Sequence, residues 1–353
     1  MHKSFLPLFL ISWSFLLSAQ KVDTEDLEVA TERGDSAYIF DYRLHRNPAL
    51  ILKELREQKG DSVELAHLYR GNVIYRTNDS SRFDIDLNPQ KVIPYKLDFQ
   101  IRPYYYAEYG QFDRPVQTQI GISPRLQIDF FKGFYGVFQW MIPLQNDFKI
   151  RTGYETRPGE LGIGYTHIWD QRYFFNVFAG TFINDRYGIY AEYIWSDASG
   201  RFYTGVSGYY TGRYLYDFSE QTLFRDFINY PSGHIFFAYR FVKHDLTVRV
   251  MAERFLRDDE GFTFELFRQF GSTDIGFFAS RSTRGDNAGF YITFALWPRK
   301  FVAAKKAQFR LPHSFRLNYN LRPNTGISEI TRPYTDFFYD IYRFNRHFIE
   351  NQD

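Results

Sequence analysis

The sequence predicts a mainly β protein, and three observations lead to that prediction. From Leu246 onwards, apolar and mostly polar residues alternate at every second position, which is the side-chain period of a β-strand. Aromatic residues make up 20% of the 353 residues, with 39 Phe and 28 Tyr, and both types favour strands. After the N-terminal segment, no stretch reaches the length of about 18 apolar residues that a membrane-spanning helix needs.

The stretch from His244 to Leu296 shows the alternation most clearly. Four runs follow one another, at Leu246–Ala252, Phe262–Leu266, Ile275–Ala279 and Phe290–Leu296. Short polar turns that contain glycine or aspartate separate these runs. The pattern predicts four strands in an antiparallel meander.

The first residues are typical of a secretory signal peptide. His2 and Lys3 form a charged region, and Phe5–Leu17 is a mostly apolar run that is too short to cross a bilayer. Ala19 supplies the small residue at which cleavage is expected. We therefore expect a signal peptide over residues 1–19 and an exported mature chain.

Composition and motifs exclude several classes of function. The formal net charge of +2 is too small to predict a nucleic-acid partner, and the absence of cysteine excludes disulfides and a lipid-anchored cysteine. The sequence contains no nucleophile elbow, zinc-protease motif or phosphate-binding loop. The acidic turn Arg257–Glu260 lacks the spacing of a calcium loop. We predict that the protein is not an enzyme and has no cofactor, metal or catalytic residue.

The segment before the regular strands is predicted to form a small unit. Residues 20–44 are expected to be an extended linker, and residues 45–90 a small periplasmic α/β module. Asn47 is a suitable N-cap for a helix that ends before Gly60. A hairpin is predicted to turn at Arg70–Asn72.

Residues 93–325 carry regular alternation, which predicts about 12 strands. Arg213–Ser232 interrupts the pattern and is interpreted as a surface loop. Residues 326–353 are interpreted as a periplasmic tail. Most of these runs place charged residues on one face and bulky aromatic residues on the other.

Two architectures fit such a meander, a soluble β-sandwich or lipocalin-like barrel and a membrane barrel. A soluble barrel would bury its apolar face inside, but the aromatic side chains here are too large and numerous for a small interior. Together with the export signal, this favours an antiparallel up-and-down transmembrane β-barrel in the bacterial outer membrane.

A barrel of this kind would direct its charged residues towards the lumen. The candidates for lumen-facing binding residues are Asp98, Arg102, Arg125, Asp129, Arg249, Glu253, Glu265 and Arg316. They could form structural ion pairs between the walls, or they could line a polar conduit for anionic or sugar ligands.

Met251–Phe270 has an Arg–aromatic pair at the end of a strand, an acidic turn with glycine, and a returning Arg-x-Phe. In these features the segment resembles the YjbH-like family of outer-membrane proteins. Gly285–Leu296 is similar to a strand of that family, although Ala288 replaces a lysine and Ala295 a proline. The resemblance extends to the Asn47–Thr77 helix and hairpin and to Arg332–Asp340.

The family members are longer and have two barrels, whereas this chain matches a single-barrel form. The resemblance implies a role in exopolysaccharide or capsule export, with outer-membrane lipid, a polysaccharide chain and periplasmic export proteins as partners. It carries over no catalytic residues. Two alternatives remain, a general solute or oligosaccharide pore with an open lumen and an outer-membrane lipid-modifying enzyme. The enzyme would need a Ser–His pair on one wall, for which Ser207 is a candidate.

Overall fold

The computed structural model describes most of the chain after the N-terminal segment. The described residues are 28–32, 35–43, 47–77, 96–109, 116–147, 156–183, 185–217, 222–296, 302–304, 307–320 and 337–350. The predicted signal peptide over residues 1–19 lies outside these ranges.

The described chain is mainly β, as predicted, and most of it belongs to one 15-stranded sheet. Twelve long strands follow one another in chain order, each antiparallel to the next. They are β5 (Leu97–Tyr109), β6 (Val116–Phe131), β7 (Phe134–Asn146), β8 (Arg157–Trp169), β9 (Tyr173–Phe182), β10 (Arg186–Ser196), β11 (Phe202–Asp217), β12 (Thr222–Phe241), β13 (Leu246–Arg254), β14 (Glu260–Phe270), β15 (Thr273–Ser282) and β16 (Gly285–Phe294). Two single-turn 3₁₀ helices, Val242–His244 and Leu256–Asp258, flank β13.

Three short strands complete the sheet: β17 (Val302–Ala304), β18 (Ala307–Arg310) and β19 (Phe315–Asn320). β19 pairs antiparallel with β16, and β17 pairs antiparallel with β18. β18 also pairs with β5, in parallel, so that Ala307 lies opposite Leu97. The end of the meander therefore returns to its beginning.

The prediction of a surface loop over Arg213–Ser232 is wrong. β11 continues to Asp217 and β12 begins at Thr222, so the two strands form one long hairpin. Beyond Arg213, β11 pairs with β12 alone. Because a hairpin that extends past its neighbours has no third strand to pack against, it needs no regular apolar alternation. The sequence pattern therefore gave no sign of it.

A second, four-stranded sheet belongs to a small unit at the N-terminal side, which we call the N-terminal unit (residues 28–77). Its elements are β1 (Glu28–Glu32), β2 (Asp35–Asp41), α1 (Pro48–Lys59), β3 (Glu64–Tyr69) and β4 (Asn72–Arg76). The strand order is β1-β2-β3-β4, and α1 forms the crossover between the parallel strands β2 and β3. The linker predicted over residues 20–44 therefore contains two strands that belong to this unit.

The helix α1 begins and ends where the sequence predicts. The Asn47 side chain accepts hydrogen bonds from the backbone N–H groups of Ala49 and Leu50, and Gly60 ends the helix with a positive φ of 95°. Leu52 and Leu55 are buried on one side of the helix. The apolar stripe of α1 thus faces the core, as its spacing indicates.

Two short helices, α2 (Phe337–Tyr342) and α3 (Arg346–Glu350), lie in the segment predicted to be a tail. Their side chains share one apolar cluster with the N-terminal unit and with one face of the large sheet. Phe338, for example, packs edge-to-face on Phe236 of β12, with a ring-centre distance of 4.9 Å. The tail prediction is therefore wrong for residues 337–350. Their apolar side chains are buried on strands that lie far away in the sequence, which a local pattern cannot indicate.

The large sheet has two unlike faces. The covered face, which contacts the N-terminal unit and the C-terminal helices, carries buried polar and charged side chains. The outer face carries large apolar side chains that remain exposed, such as Phe264 (47% exposed) and Phe277 (57%). In the part of the chain that the structure describes, no helix has the length and apolar character to cross a membrane.

Candidate functional site

The charged residues predicted to face a lumen all lie on the covered face or at its margin. Seven of them are buried, and Arg316 is half-buried. The structure divides them into two groups rather than one. The first group, on β5 and β6, contains Asp98, Arg102, Arg125 and Asp129, and the second, on β13, β14 and β19, contains Arg249, Glu253, Glu265 and Arg316.

The first group meets the N-terminal unit through Arg43. Its guanidinium binds Asp41 of the same unit at 2.8 Å and Asp129 of β6 at 2.7 Å. The side chains of all three residues are at most 2% exposed. A buried cation between two carboxylates forms short, charge-assisted hydrogen bonds, and here these bonds tie the unit to the sheet. The backbone carbonyl of Arg43 also contacts the His313 ring.

The hairpin turn of the N-terminal unit forms a second anchor on the covered face. Arg70 occupies the turn with a φ of 50°, which is uncommon for a non-glycine residue. Its guanidinium donates to Thr166 Oγ1 at 2.8 Å and lies 3.5 Å from the centre of the Tyr135 ring. Its backbone carbonyl accepts a hydrogen bond of 2.9 Å from the N–H of Gly133.

Gly133 is required at this contact. It has a φ of +80°, and a Cβ at this position would lie 2.2 Å from the Thr166 carbonyl oxygen. A larger residue would therefore strain the turn and push the neighbouring strand away from it. The Lys132–Gly133 turn thus holds the surface on which Arg70 rests.

The second group packs around the C-terminal helices. The Arg249 guanidinium lies 3.6 Å from Glu265 and 4.2 Å from the ring centre of Phe338. The Tyr339 hydroxyl donates to Glu265, and the Arg316 guanidinium lies 4.3 Å from the centre of the Tyr339 ring. The charges in this group therefore hold aromatic side chains of α2 on the covered face.

His67 in β3 is fully buried where the N-terminal unit meets the C-terminal helices. Burial lowers the pKa of His67 to about 3, and the ring lies beside Phe40, Tyr75 and Phe344. Neither ring nitrogen has a hydrogen-bond partner among the described residues. His67 is therefore a neutral packing residue at ordinary pH, without the hydrogen-bond partners of a general base.

A serine and a histidine do meet on the covered face, as the lipid-enzyme alternative requires. Ser207 Oγ lies 2.8 Å from His234 Nδ1, and Arg249 approaches the other ring nitrogen, Nε2, at 3.2 Å. Because a guanidinium can only donate, Nε2 must accept from Arg249 and the ring proton sits on Nδ1. That nitrogen then donates to Ser207, which is the reverse of the proton transfer that activates a nucleophile.

The residues that sequence reasoning missed are the partners from outside the large sheet. Asp41 and Arg43 lie in the predicted linker, and Tyr339 lies in the predicted tail. Arg70 lies in a turn that the sequence does predict, but its role depends on a contact with Thr166, 96 positions away in the chain. No local pattern marks any of these contacts.

The described residues contain no group of three or more histidine, cysteine or acidic side chains that could hold a metal ion. No known family model matches the chain, and a search of curated proteins finds no similar sequence.

Proposed function

We propose that the protein is a non-enzymatic outer-membrane β-barrel, filled by its own N-terminal unit and C-terminal helices, that takes part in exopolysaccharide or capsule export. The observation that carries the membrane part is the inverted polarity of the large sheet. Apolar side chains remain exposed on its outer face, while arginine and carboxylate side chains are buried on its covered face. A soluble protein would bury the apolar side chains and expose the charged ones. A sheet whose outer face contacts lipid accounts for both the exposed apolar side chains and the buried charges.

The strand pairing supports closure of the sheet. β17 is the next strand after β16 in the chain, and β19 follows β18 after an interruption at residues 311–314. β16 pairs with β19, and β17 pairs with β18. This is the pairing of one long hairpin in which β16 and β17 form the first strand and β18 and β19 form the second. Because β18 also pairs with β5, the second of these strands would connect the end of the meander to its beginning.

The closed form would have thirteen strands, namely β5–β16 and the interrupted strand β18–β19. An odd number makes the first and last strands parallel, which agrees with the parallel pairing of β18 and β5. Bacterial single-chain barrels usually have an even number of strands, and the alternation in the sequence predicts about 12.

The filled covered face weighs against the general pore. Arg43 and Arg70 fix the N-terminal unit to β6 and β8, and Phe338 is fully buried against strands of the sheet. An open conduit would require these contacts to break. A second observation weighs against the lipid-modifying enzyme. The hydrogen-bond directions at Ser207 oppose proton transfer to His234.

The membrane part predicts a large effect of charge on the outer face. Phe264 lies between Val250 and Ala279 near the middle of three strands. We expect Phe264→Arg to destabilise the folded protein by about 2–4 kcal/mol in bilayers, because the bilayer midplane excludes charge. Reversible denaturant unfolding in liposomes measures this, with Phe264→Leu as the apolar control. On the exposed surface of a soluble protein, the arginine variant would change stability by about 0.5 kcal/mol or less, and that result would contradict the proposal.

The export role is based on the family resemblance and needs a cellular test. We expect deletion of the gene to lower surface polysaccharide, and expression of the tagged full chain to restore it. Membrane fractionation of the same cells should locate the tagged protein in the outer membrane. Unchanged polysaccharide with the protein in the outer membrane would overturn the export role alone. Recovery as a soluble periplasmic protein would overturn the barrel.

A further inference from the structure

We propose that a cleft between the N-terminal unit, the covered face and the C-terminal helices binds an oxyanion group, either a carboxylate or a phosphate. Five arginines line this cleft, and one acidic side chain, that of Asp340, lines it with them. The arginines come from all three parts of the protein: Arg70, Arg102, Arg125, Arg310 and Arg343.

The cleft is rich in hydrogen-bond donors and poor in acceptors. A guanidinium group has five N–H donors and no acceptor, so five of them supply far more donors than the few lining acceptors can use. The Nε atoms of Arg70 and Arg343 are buried and have no hydrogen-bond partner among the described residues. A ligand that only accepts hydrogen bonds matches this lining, and an oxyanion is such a ligand.

Three of the arginines are held in place by carboxylates of the sheet. Arg310 binds Asp98 through two nitrogens at 2.8 and 2.6 Å. Arg125 lies 3.4 Å from Glu160, and Arg343 lies 3.6 Å from Asp274. These pairs reduce the net charge of the site, but they also fix the guanidinium groups before a ligand arrives.

Arg70 differs from these three because its hydrogen-bond partners are neutral. It donates to Thr166 at 2.8 Å and to Asn176 at 3.3 Å, and it is only 6% exposed. A buried cation without a directly bonded carboxylate is costly unless another anion approaches it. Arg70 therefore offers an anionic group a positive charge that no directly bonded carboxylate offsets.

The dimensions and position of the cleft restrict the ligand further. Its volume of about 60 Å³ has room for a charged group or a few waters. His313 and Ser314 also line it, and both lie in the interruption between β18 and β19. The charged group would thus enter next to the interruption between β18 and β19.

The test uses the purified full chain in a neutral detergent. We expect inorganic phosphate or D-glucuronate to bind saturably in titration calorimetry and to raise the thermal midpoint, whereas glucose and sodium chloride at matched ionic strength do neither. Arg102→Gln and Arg343→Gln should each weaken binding about tenfold or more, because a hydrogen bond to a charged group is lost. Arg281→Gln, at a side chain 87% exposed, should bind as the unchanged protein does.

Preference for glucuronate would assign the cleft to the acidic group of a sugar, and preference for phosphate to a phosphorylated lipid or sugar headgroup. Either preference, lost in both arginine variants, supports the site. Absence of saturable binding by both anions would mean that the cleft holds only water, and that result overturns the proposal. Equal binding by the variants would overturn it as well. Since the measurement uses no cells, it stands apart from the export role.

Discussion

Arg43→Ala is expected to destabilise the protein by about 3–5 kcal/mol, since it leaves two buried carboxylates without their cation. Asp41 and Asp129 both bind this guanidinium, at 2.8 and 2.7 Å. The Arg43–Asp129 ion pair joins the N-terminal unit to β6, so the variant should also expose that unit to proteases. Denaturant unfolding and limited proteolysis of the purified protein in detergent measure the two effects.

Arg254→Ala is the matched control, because Arg254 also pairs with an aspartate, Asp258 at 2.7 Å, but on the exposed surface. We expect a change of about 0.5 kcal/mol or less there. Addition of Asp129→Asn to Arg43→Ala should recover part of the loss, since one of the two uncompensated charges disappears. Equal effects of the two alanine variants would show that Arg43 does not hold the unit on the sheet.

Phe338→Ala is expected to cost about 3–5 kcal/mol, the range typical of removing a buried phenylalanine. The side chain is fully buried and packs edge-to-face on Phe236 and Tyr203, with Arg249 at 4.2 Å from its ring centre. Because α2 is only six residues long, it depends on such contacts for its position. The variant should therefore release the C-terminal helices, and hydrogen exchange of residues 337–350 measures that release.

The control for Phe338 is Phe262→Ala, at an aromatic side chain that is 67% exposed on the outer face. It removes the same ring without opening a cavity, so we expect a much smaller loss and no change in exchange at the C-terminal helices. If Phe338→Ala left the exchange of these helices unchanged, the packing of α2 on the covered face would not be what holds them.

The strands of the large sheet could be predicted because most of them alternate between apolar and polar residues, so that each face of the strand matches its surroundings. Val248 and Leu266 alternate with Arg249 and Glu265, and this period of two is visible within a few residues. The eight charged candidates could be assigned to one face for the same reason. The helix α1 was predictable because Asn47 and Gly60 mark its ends locally.

The contacts of the candidate site could not be predicted, since they join distant segments. Arg43 contacts Asp129 across 86 positions of the chain, and Tyr69 contacts Asp340 across 271. Neither segment carries a local pattern that identifies its partner. The same reason explains why the linker and the tail were misassigned, since both contain residues that are buried only by distant partners.

The pairing of β18 with β5 has a consequence for how the protein is made. Arg310 and Asp98, which bind across this seam, are 212 positions apart, so almost the whole chain must be synthesised before the seam can close. Contacts of such long sequence separation form late and slowly, because the entropy of closing the loop must be overcome first. The N-terminal unit and the C-terminal helices pack on the covered face, so in the proposed barrel they would have to reach that face before the seam closed. If the proposed barrel forms, we expect the N-terminal unit and the C-terminal helices to dock on the covered face first and β18 to pair with β5 last.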